Sequence, residues 1–246
     1  MVIKMEPIDY MRKAGKLAAQ TLDYIEPFIK PGITTEEINT LVHDFTIEHG
    51  AIPAPLNYHG FPKSVCTSVN HVVCHGIPGP KKLKNGDIIN IDVTPILDGW
   101  HGDSSRMFFV GTPSIKARKL VEVTYEAMMR GIEQIKPGAT TGDIGHAIET
   151  FIDGRYSIVK EYCGHGTGQI FHTLPHVFHH GIPGTGEVLR EGMFITVEPM
   201  INIGKDTVKT LSDNWTVVTR DRSLSAQWEH TVAVTKDGYE ILTLSD

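Results

Sequence analysis

Cysteine is scarce in this chain: Cys66, Cys74 and Cys163 form no CxxC pair, and an odd number suits no disulfide framework. A reducing cytoplasm is the expected location. Positive charge is also short, with 23 Lys and Arg against 29 Asp and Glu and a net charge of −6. Phosphate binding needs clustered cations, so a nucleic-acid binder is disfavoured. No apolar run approaches the roughly 20 residues that span a bilayer. The opening Met1-Val2-Ile3-Lys4-Met5-Glu6-Pro7 lacks the basic-then-apolar layout of a signal peptide. No Ser/Gly/Pro-rich linker divides the chain, so one domain over residues 1–246 is expected. What the sequence does hold is histidine, thirteen in all, a residue that both ligates metals and carries protons.

The chain also contains itself twice. Ile29-Lys30-Pro31-Gly32-Ile33-Thr34-Thr35 recurs 106 residues later as Ile135-Lys136-Pro137-Gly138-Ala139-Thr140-Thr141. His75-Gly76-Ile77-Pro78-Gly79 is echoed by His180-Gly181-Ile182-Pro183-Gly184. Asn85-Gly86 and Glu191-Gly192 each open an apolar stretch that runs to a carboxylate, Asp92 or Glu198. Three matches nearly in step point to a duplicated half, about 8–110 and 113–240. Helices are predicted over 8–25 and 114–134, the second with Pro113 suited to a first helical turn. Each ends near its Lys-Pro-Gly break, and a capping-box threonine then opens a further helix, at about 35–49 and 142–153. Strands follow at 87–93 and 194–198. The same shift carries His59 onto His165 and suggests that His59 lies at the rim of a site without binding metal.

Asp98-Gly99 is a strong hairpin signal. With the turn placed there, Asp92 faces Ser105 and Asp103 faces Thr94, so Asp92 and Asp103 are diagonal neighbours on one sheet face, about 7–8 Å apart. Two such carboxylates could share cations spaced about 3.5–4 Å; without cations they would repel. Glu198 and Glu229 repeat the pattern, but about 20 extra residues between them hide the register. Oxygen ligands favour Mn, Mg or Fe(II), and one imidazole brings Co and Zn into range. Gly164-His165-Gly166 offers that imidazole, its glycines allowing close backbone approach.

These residues carry a resemblance. Cys74-His75-Gly76-Ile77-Pro78, Asn90-Ile91-Asp92-Val93, Asp98-Gly99-Trp100-His101-Gly102-Asp103-Ser104-Ser105, Gly164-His165-Gly166, Glu198-Pro199 and Glu229-His230-Thr231 together resemble type I methionine aminopeptidases of the short bacterial form. The resemblance implies the α+β pita-bread (creatinase/aminopeptidase) fold, with a curved antiparallel sheet backed by helices. It implies two divalent ions, Co, Mn, Fe(II) or Zn, held by Asp92, Asp103, His165, Glu198 and Glu229, with Asp103 and Glu229 bridging. Glu198 would move the proton, His172 would bond the scissile carbonyl, and His75 would assist the scissile nitrogen. Tyr58, Phe61, Cys66, Phe171 and Trp215 would line a methionine pocket, where sulfur–aromatic contacts suit a thioether. A structural monovalent cation would sit at Asn70, Val72 and Ser225. The expected substrate is the N-terminal methionine of nascent polypeptides near the ribosome, with a small second residue preferred. The enzyme is expected to be a monomer without nucleic-acid or membrane partners.

The chain departs from the family pattern at Thr167, Thr173-Leu174, Phe61 and Trp228, none of them a ligand. Neither the eukaryotic zinc-binding extension nor the type II insertion is expected. Two other readings compete: an X-prolyl peptidase or another amidohydrolase of the same fold, and a non-catalytic binding module. The first normally carries an extra N-terminal domain, and the second has typically lost ligands.

Overall fold

The computed structural model describes residues 5–245. In the first half, α1 (Pro7–Ile25) and α2 (Thr35–Glu48) lead to β1 (Cys66–Val69), β2 (Ile88–Val93) and β3 (Ser104–Phe109). The second half likewise opens on two helices, α3 (Ile115–Ile132) and α4 (Thr141–Ile152). Its strands are β4 (Gly164–Gly166), β5 (Thr173–Val177), β6 (Phe194–Val197), β7 (Met200–Asn202), β8 (Ser225–Gln227), β9 (His230–Val234) and β10 (Tyr239–Ile241). All named pairings are antiparallel: β1-β2-β3 in one sheet, β5-β4-β6-β9-β10 in another, and β7 with β8 beside them.

Local chemistry explains the helix starts. Thr34 and Thr140 each accept the backbone N–H three residues on, while Glu37 and Asp143 reach back to the cap N–H, two reciprocal capping boxes. The expected role of Pro113 is corrected: α3 begins two residues later, because the Ser114 hydroxyl accepts the Ala117 N–H and makes Ser114 the cap. The Lys-Pro-Gly breaks are tied down alike. Gly32 N–H donates to the Leu83 carbonyl at 2.8 Å and Gly138 N–H to that of Leu189 at 2.9 Å. Thr34 bridges Lys82 as Thr140 bridges Val188. These matched bonds support the duplicated reading, and a near-twofold superposition of 8–110 on 113–240 is its test.

Strand alternation separates core from site. Ile89, Ile91 and Val93 pack with Leu22, Ile25 and Ile38 under α1 and α2. Ile195 and Val197 pack with Leu120, Met128 and Ile148 under α3 and α4. Full burial of each such side chain contributes about 1.5–3 kcal/mol. Because side chains alternate along a strand, Asn90 and Asp92, like Thr196 and Glu198, turn to the face away from the helices. The two helix pairs thus back the sheets, and the chemistry collects on the other face.

Candidate active site

The Asp98-Gly99 turn has φ of 52° and 82°, the double left-handed conformation of a type I′ hairpin. It sets Ile96 opposite His101 and Asp92 opposite Ser105, the register the turn predicts. Ser105 in turn bridges to Glu229, with backbone bonds of 3.4 and 3.1 Å. Asp92, Ser105 and Glu229 therefore stand in a row across the seam between the two halves. Asp103 lies two residues before Ser105 and accepts the Thr94 hydroxyl proton at 2.7 Å.

The second half brings the imidazole. A Cβ on Gly164 would lie 2.2 Å from the Thr196 carbonyl oxygen, and one on Gly166 would lie 2.2 Å from that of Leu174. Only glycines let His165 slip so close between its neighbours. His165 N–H donates to Thr196 Oγ1 at 2.9 Å, and that hydroxyl donates to Glu198 Oε1 at 2.7 Å. Gln227 Nε2 donates to Glu198 Oε2 at 3.1 Å, and the Glu198 backbone N–H donates to His179 Nε2 at 3.1 Å. His165 Nε2 stands 3.4 Å from Asp103 Oδ2 and 3.5 Å from Glu198 Oε1.

Ligand atoms of Asp92, Asp103 and Glu229 lie within 4.8 Å of one another, and so do those of His165, Glu198 and Glu229. The two sets share Glu229. A third set joins Asp103 and His165 to His172. The structure thus brings all five expected ligands together. His59 lines the same cavity but belongs to none of these sets. Nor does sheet position match it to His165: Ile89 pairs with Val69 while its counterpart Ile195 pairs with Gly166. The stretches leading into β1 and β4 differ in length, so the shift breaks down there.

A cluster of this kind is electrostatically loaded. Burial, then the charges of Asp103 and its neighbours, hold the Asp92 and Glu229 carboxyls well above the usual carboxylate range. Burial, partly offset by His165, raises Glu198 to about 7. Burial opposes ionisation of Asp103 too, but the hydrogen bond and charge of His165 outweigh it and leave that pKa lowered. Burial would also lower His165, yet its carboxylate partners lift it to about 9. Divalent cations fit this donor set, since they would relieve the repulsion among buried carboxylates. The metal-free protein should therefore grow more stable as pH falls from about 9 towards 6.5; below that, His75, His172, His179 and His230, whose pKa values burial lowers to between about 3 and 4, resist protonation in the fold and oppose the gain. The sign follows from both groups. A raised Glu198 destabilises the fold above about 7, a penalty removed on protonation. A raised His165 contributes stability below 6.5 that is lost as pH rises through about 9. Melting of chelated protein across this window checks it. Added divalent metal should reverse the slope, because protons compete with cations for the same ligands.

The cluster floors a cavity of about 360 Å³. Tyr58, Phe61, Cys66, Phe171 and Trp215 all line it, as do His75 and His172. Phe61 meets Trp215 edge-on at 5.2 Å, and His75 stands between Tyr162 and Trp215 at 5.5 and 6.0 Å. Sequence reasoning missed the lining residues Tyr162, Cys163 and Met200. It also missed the roles of Thr94, Thr196, Gln227 and His179. A larger groove of about 880 Å³, lined by Arg130, Glu133, Lys136, Asp143 and His146, lies away from the cluster and holds no comparable set of carboxylates among the described residues. At the expected monovalent-cation position, Ser225 N–H donates to the Asn70 carbonyl at 2.9 Å, and Val72 opens a short strand two residues on. Ser225 Oγ is buried without a hydrogen bond among the described residues. All three cysteines are free thiols, and no described helix is long and apolar enough to cross a membrane.

Comparison with known proteins agrees with this geometry. The pattern of metallopeptidase family M24 matches residues 9–236. A methionine aminopeptidase of Rickettsia prowazekii (strain Madrid E) is 62% identical over 237 residues, covering 96% of this chain and 92% of that protein. The crystal structure of methionine aminopeptidase from Rickettsia prowazekii superposes with a TM-score of 0.96 at 58% identity, over 99% of this chain and 100% of that one. The prolidase from Pyrococcus horikoshii OT3 shares the fold, with a TM-score of 0.77 at 24% identity; the match covers 100% of this chain but 64% of the prolidase.

Proposed function

The chain belongs to metallopeptidase family M24 and, within it, to the methionine aminopeptidases; from that membership we propose that it removes the initiator methionine from new polypeptides. The observation that carries the reading is the buried set of four carboxylates and one imidazole at the floor of an aromatic-walled cavity. Asp92, Asp103, His165, Glu198 and Glu229 would hold two divalent cations. When bound, these cations would supply Lewis acidity and lower the pKa of an attacking water. Glu198 takes up the proton and passes it to the leaving amine. Its backbone and both carboxylate oxygens are already held by His179, Thr196 and Gln227, so it acts from a fixed position. His172 donates to the scissile carbonyl oxygen as charge develops there, and His75 donates at the scissile nitrogen. Tyr58, Phe61, Cys66, Phe171 and Trp215 receive the methionine side chain. Asn70, Val72 and Ser225 would hold a monovalent cation, a role supported by the orphaned Ser225 hydroxyl.

The enzyme acts as a cytoplasmic monomer on chains emerging from the ribosome, a reading to which three free thiols are suited. Chelated protein re-supplied separately with Fe(II), Mn, Co and Zn tests the metal reading, since Met-Ala-Ser cleavage should return with at least one of them. A small second residue is preferred. Met-Ala-Ser should be cleaved at least about tenfold faster, by kcat/KM, than Met-Lys-Ser. Equal rates of methionine release from the two peptides would refute the preference.

A further inference from the structure

Tyr58 was placed above as a wall of the methionine pocket, yet its most specific contact is elsewhere. Its hydroxyl oxygen lies 2.8 Å from His172 Nδ1, and their rings meet at 5.1 Å. His172 is otherwise held by ring contacts: Phe171 stacks on it at 4.0 Å and 25°, His165 lies tilted against it at 4.3 Å, and His101 stacks on Phe171 at 5.3 Å and 15°. His101 is itself anchored through Nδ1 to the Gly168 carbonyl at 2.7 Å. Stacking fixes the plane of a ring but does not decide which nitrogen bears the proton. The hydrogen bond to Nδ1 decides that.

We infer that Tyr58 is a positioning residue for His172: its hydroxyl donates to Nδ1 and so keeps the imidazole proton on Nε2. The inference rests on the reading that His172 donates to the scissile carbonyl, a task only an N–H can perform. Among the described residues, the Tyr58 hydroxyl has no other hydrogen-bond partner. If Nδ1 were the donor instead, the phenolic proton would have no acceptor among those residues. Burial also pushes the Tyr58 pKa up, so the phenol keeps the proton it donates. The loop beneath it is built to hold this aim. Asn57, His59 and Gly60 take positive φ of 67°, 47° and 87°. For the two non-glycine residues, such conformations cost on the order of 1–3 kcal/mol each and persist only where the surroundings impose them. Asn57 N–H donates to the Phe61 carbonyl at 2.8 Å, and Phe61 N–H donates back to that of Tyr58 at 2.9 Å, closing the turn around the tyrosine.

A pocket wall and a positioning residue fail differently. Tyr58→Phe keeps the ring and its packing on Phe171 at 4.9 Å, removing only the hydroxyl. On metal-loaded enzyme it should lower kcat about 10–100-fold, as loss of an orienting partner typically does. KM should stay within about threefold, because capture of the methionine side chain is untouched. In a His172→Ala background the same change should cost less than about twofold, since the group it serves is gone. Nitrogen-15 spectra of the zinc-loaded protein should show the Nε2–H tautomer of His172 in the wild type and a mixture in Tyr58→Phe. A rise in KM with kcat preserved overturns the inference in favour of a simple wall. So does a loss fully additive with His172→Ala, or an unchanged tautomer. A His172→Ala enzyme with wild-type kcat would instead remove the underlying reading of His172, and this inference with it.

Discussion

Glu198→Ala should abolish turnover and lower the bound metal in the same protein, while Glu198→Gln should lose turnover but keep more of the metal. The expectation follows from two jobs placed on one side chain. As a proposed ligand, Glu198 stands in one set with His165 and Glu229. As a proton carrier it sits fully inside the cavity floor, raised to about 7 in the metal-free protein by burial, with His165 pulling the other way. Glutamine keeps an oxygen that can accept the Thr196 hydroxyl at the place of the present 2.7 Å bond. It can still offer that oxygen to a metal, but it cannot take a proton. Loss of a positioned acid–base group costs about 10²–10⁴ in rate, and loss of a ligand adds to it, so the alanine enzyme should be slower by at least about 10⁴. Metal analysis and steady-state kinetics on both variants decide the matter. A glutamine variant within tenfold of wild-type kcat would end the proton-carrier role, and an alanine variant with full metal content would end the ligand role.

How much of this was legible beforehand depended on the range of the interactions. The first carboxylate pair was readable because Asp98-Gly99 fixes a two-residue turn, and a turn fixes every pairing outward from it, including Asp92 with Ser105. The helix starts at Thr34 and Thr140 were readable because a capping box is closed within four residues. The second pair was not. β6 and β9 run in register to Val197 opposite His230, and the same register resumes in β7 and β8 at Met200 opposite Gln227. Residues 203–224 then make an excursion in which strand Val208–Thr210 pairs with Val217–Thr219, and Val217–Thr219 pairs in turn with Val72–Cys74. That detour swings Trp215 over the pocket, and no periodicity in the chain announces it. The Ser105–Glu229 bridge joining the halves is likewise a tertiary fact.

Side-chain supports fell between these extremes. Thr94 faces Asp103 once the hairpin is drawn, and Thr196 shares a strand face with Glu198 two residues on, so both could have been found from alternation. His179 could not. It follows β5, yet it takes the backbone N–H of Glu198 at the end of a different strand, through a contact that depends on how β5 folds back over β4 and β6.

The role of His75 can be separated from that of the ligands. Its ring makes no hydrogen bond among the described residues, stands edge-on to Tyr162 and Trp215, and faces the cavity. Burial pushes its pKa down to about 4, so at neutral pH it is an uncharged imidazole with one N–H to give. Its backbone is left-handed, with φ of 56°, a conformation that non-glycine residues adopt at a cost and that recurs at working sites. The next residue explains why the loop is held there: a Cβ on Gly76 would stand 2.1 Å from the Thr67 carbonyl oxygen, so the loop is pressed onto β1. His75→Ala should therefore lower kcat by about 10²–10⁴, roughly 3–5 kcal/mol of barrier, because a group met chiefly in the transition state acts there. KM should change little, and bound metal should match the wild type, since His75 is in none of the ligand sets. His75→Asn tolerates the left-handed backbone and retains an N–H donor, so it should recover part of the lost rate. A purely structural His75 predicts the opposite pattern: a lower melting temperature, normal turnover per folded molecule, and no advantage of Asn over Ala in kcat. Metal content, melting temperature and kcat on the two variants distinguish these outcomes, and near-normal kcat in His75→Ala, or loss of its metal, defeats the assignment.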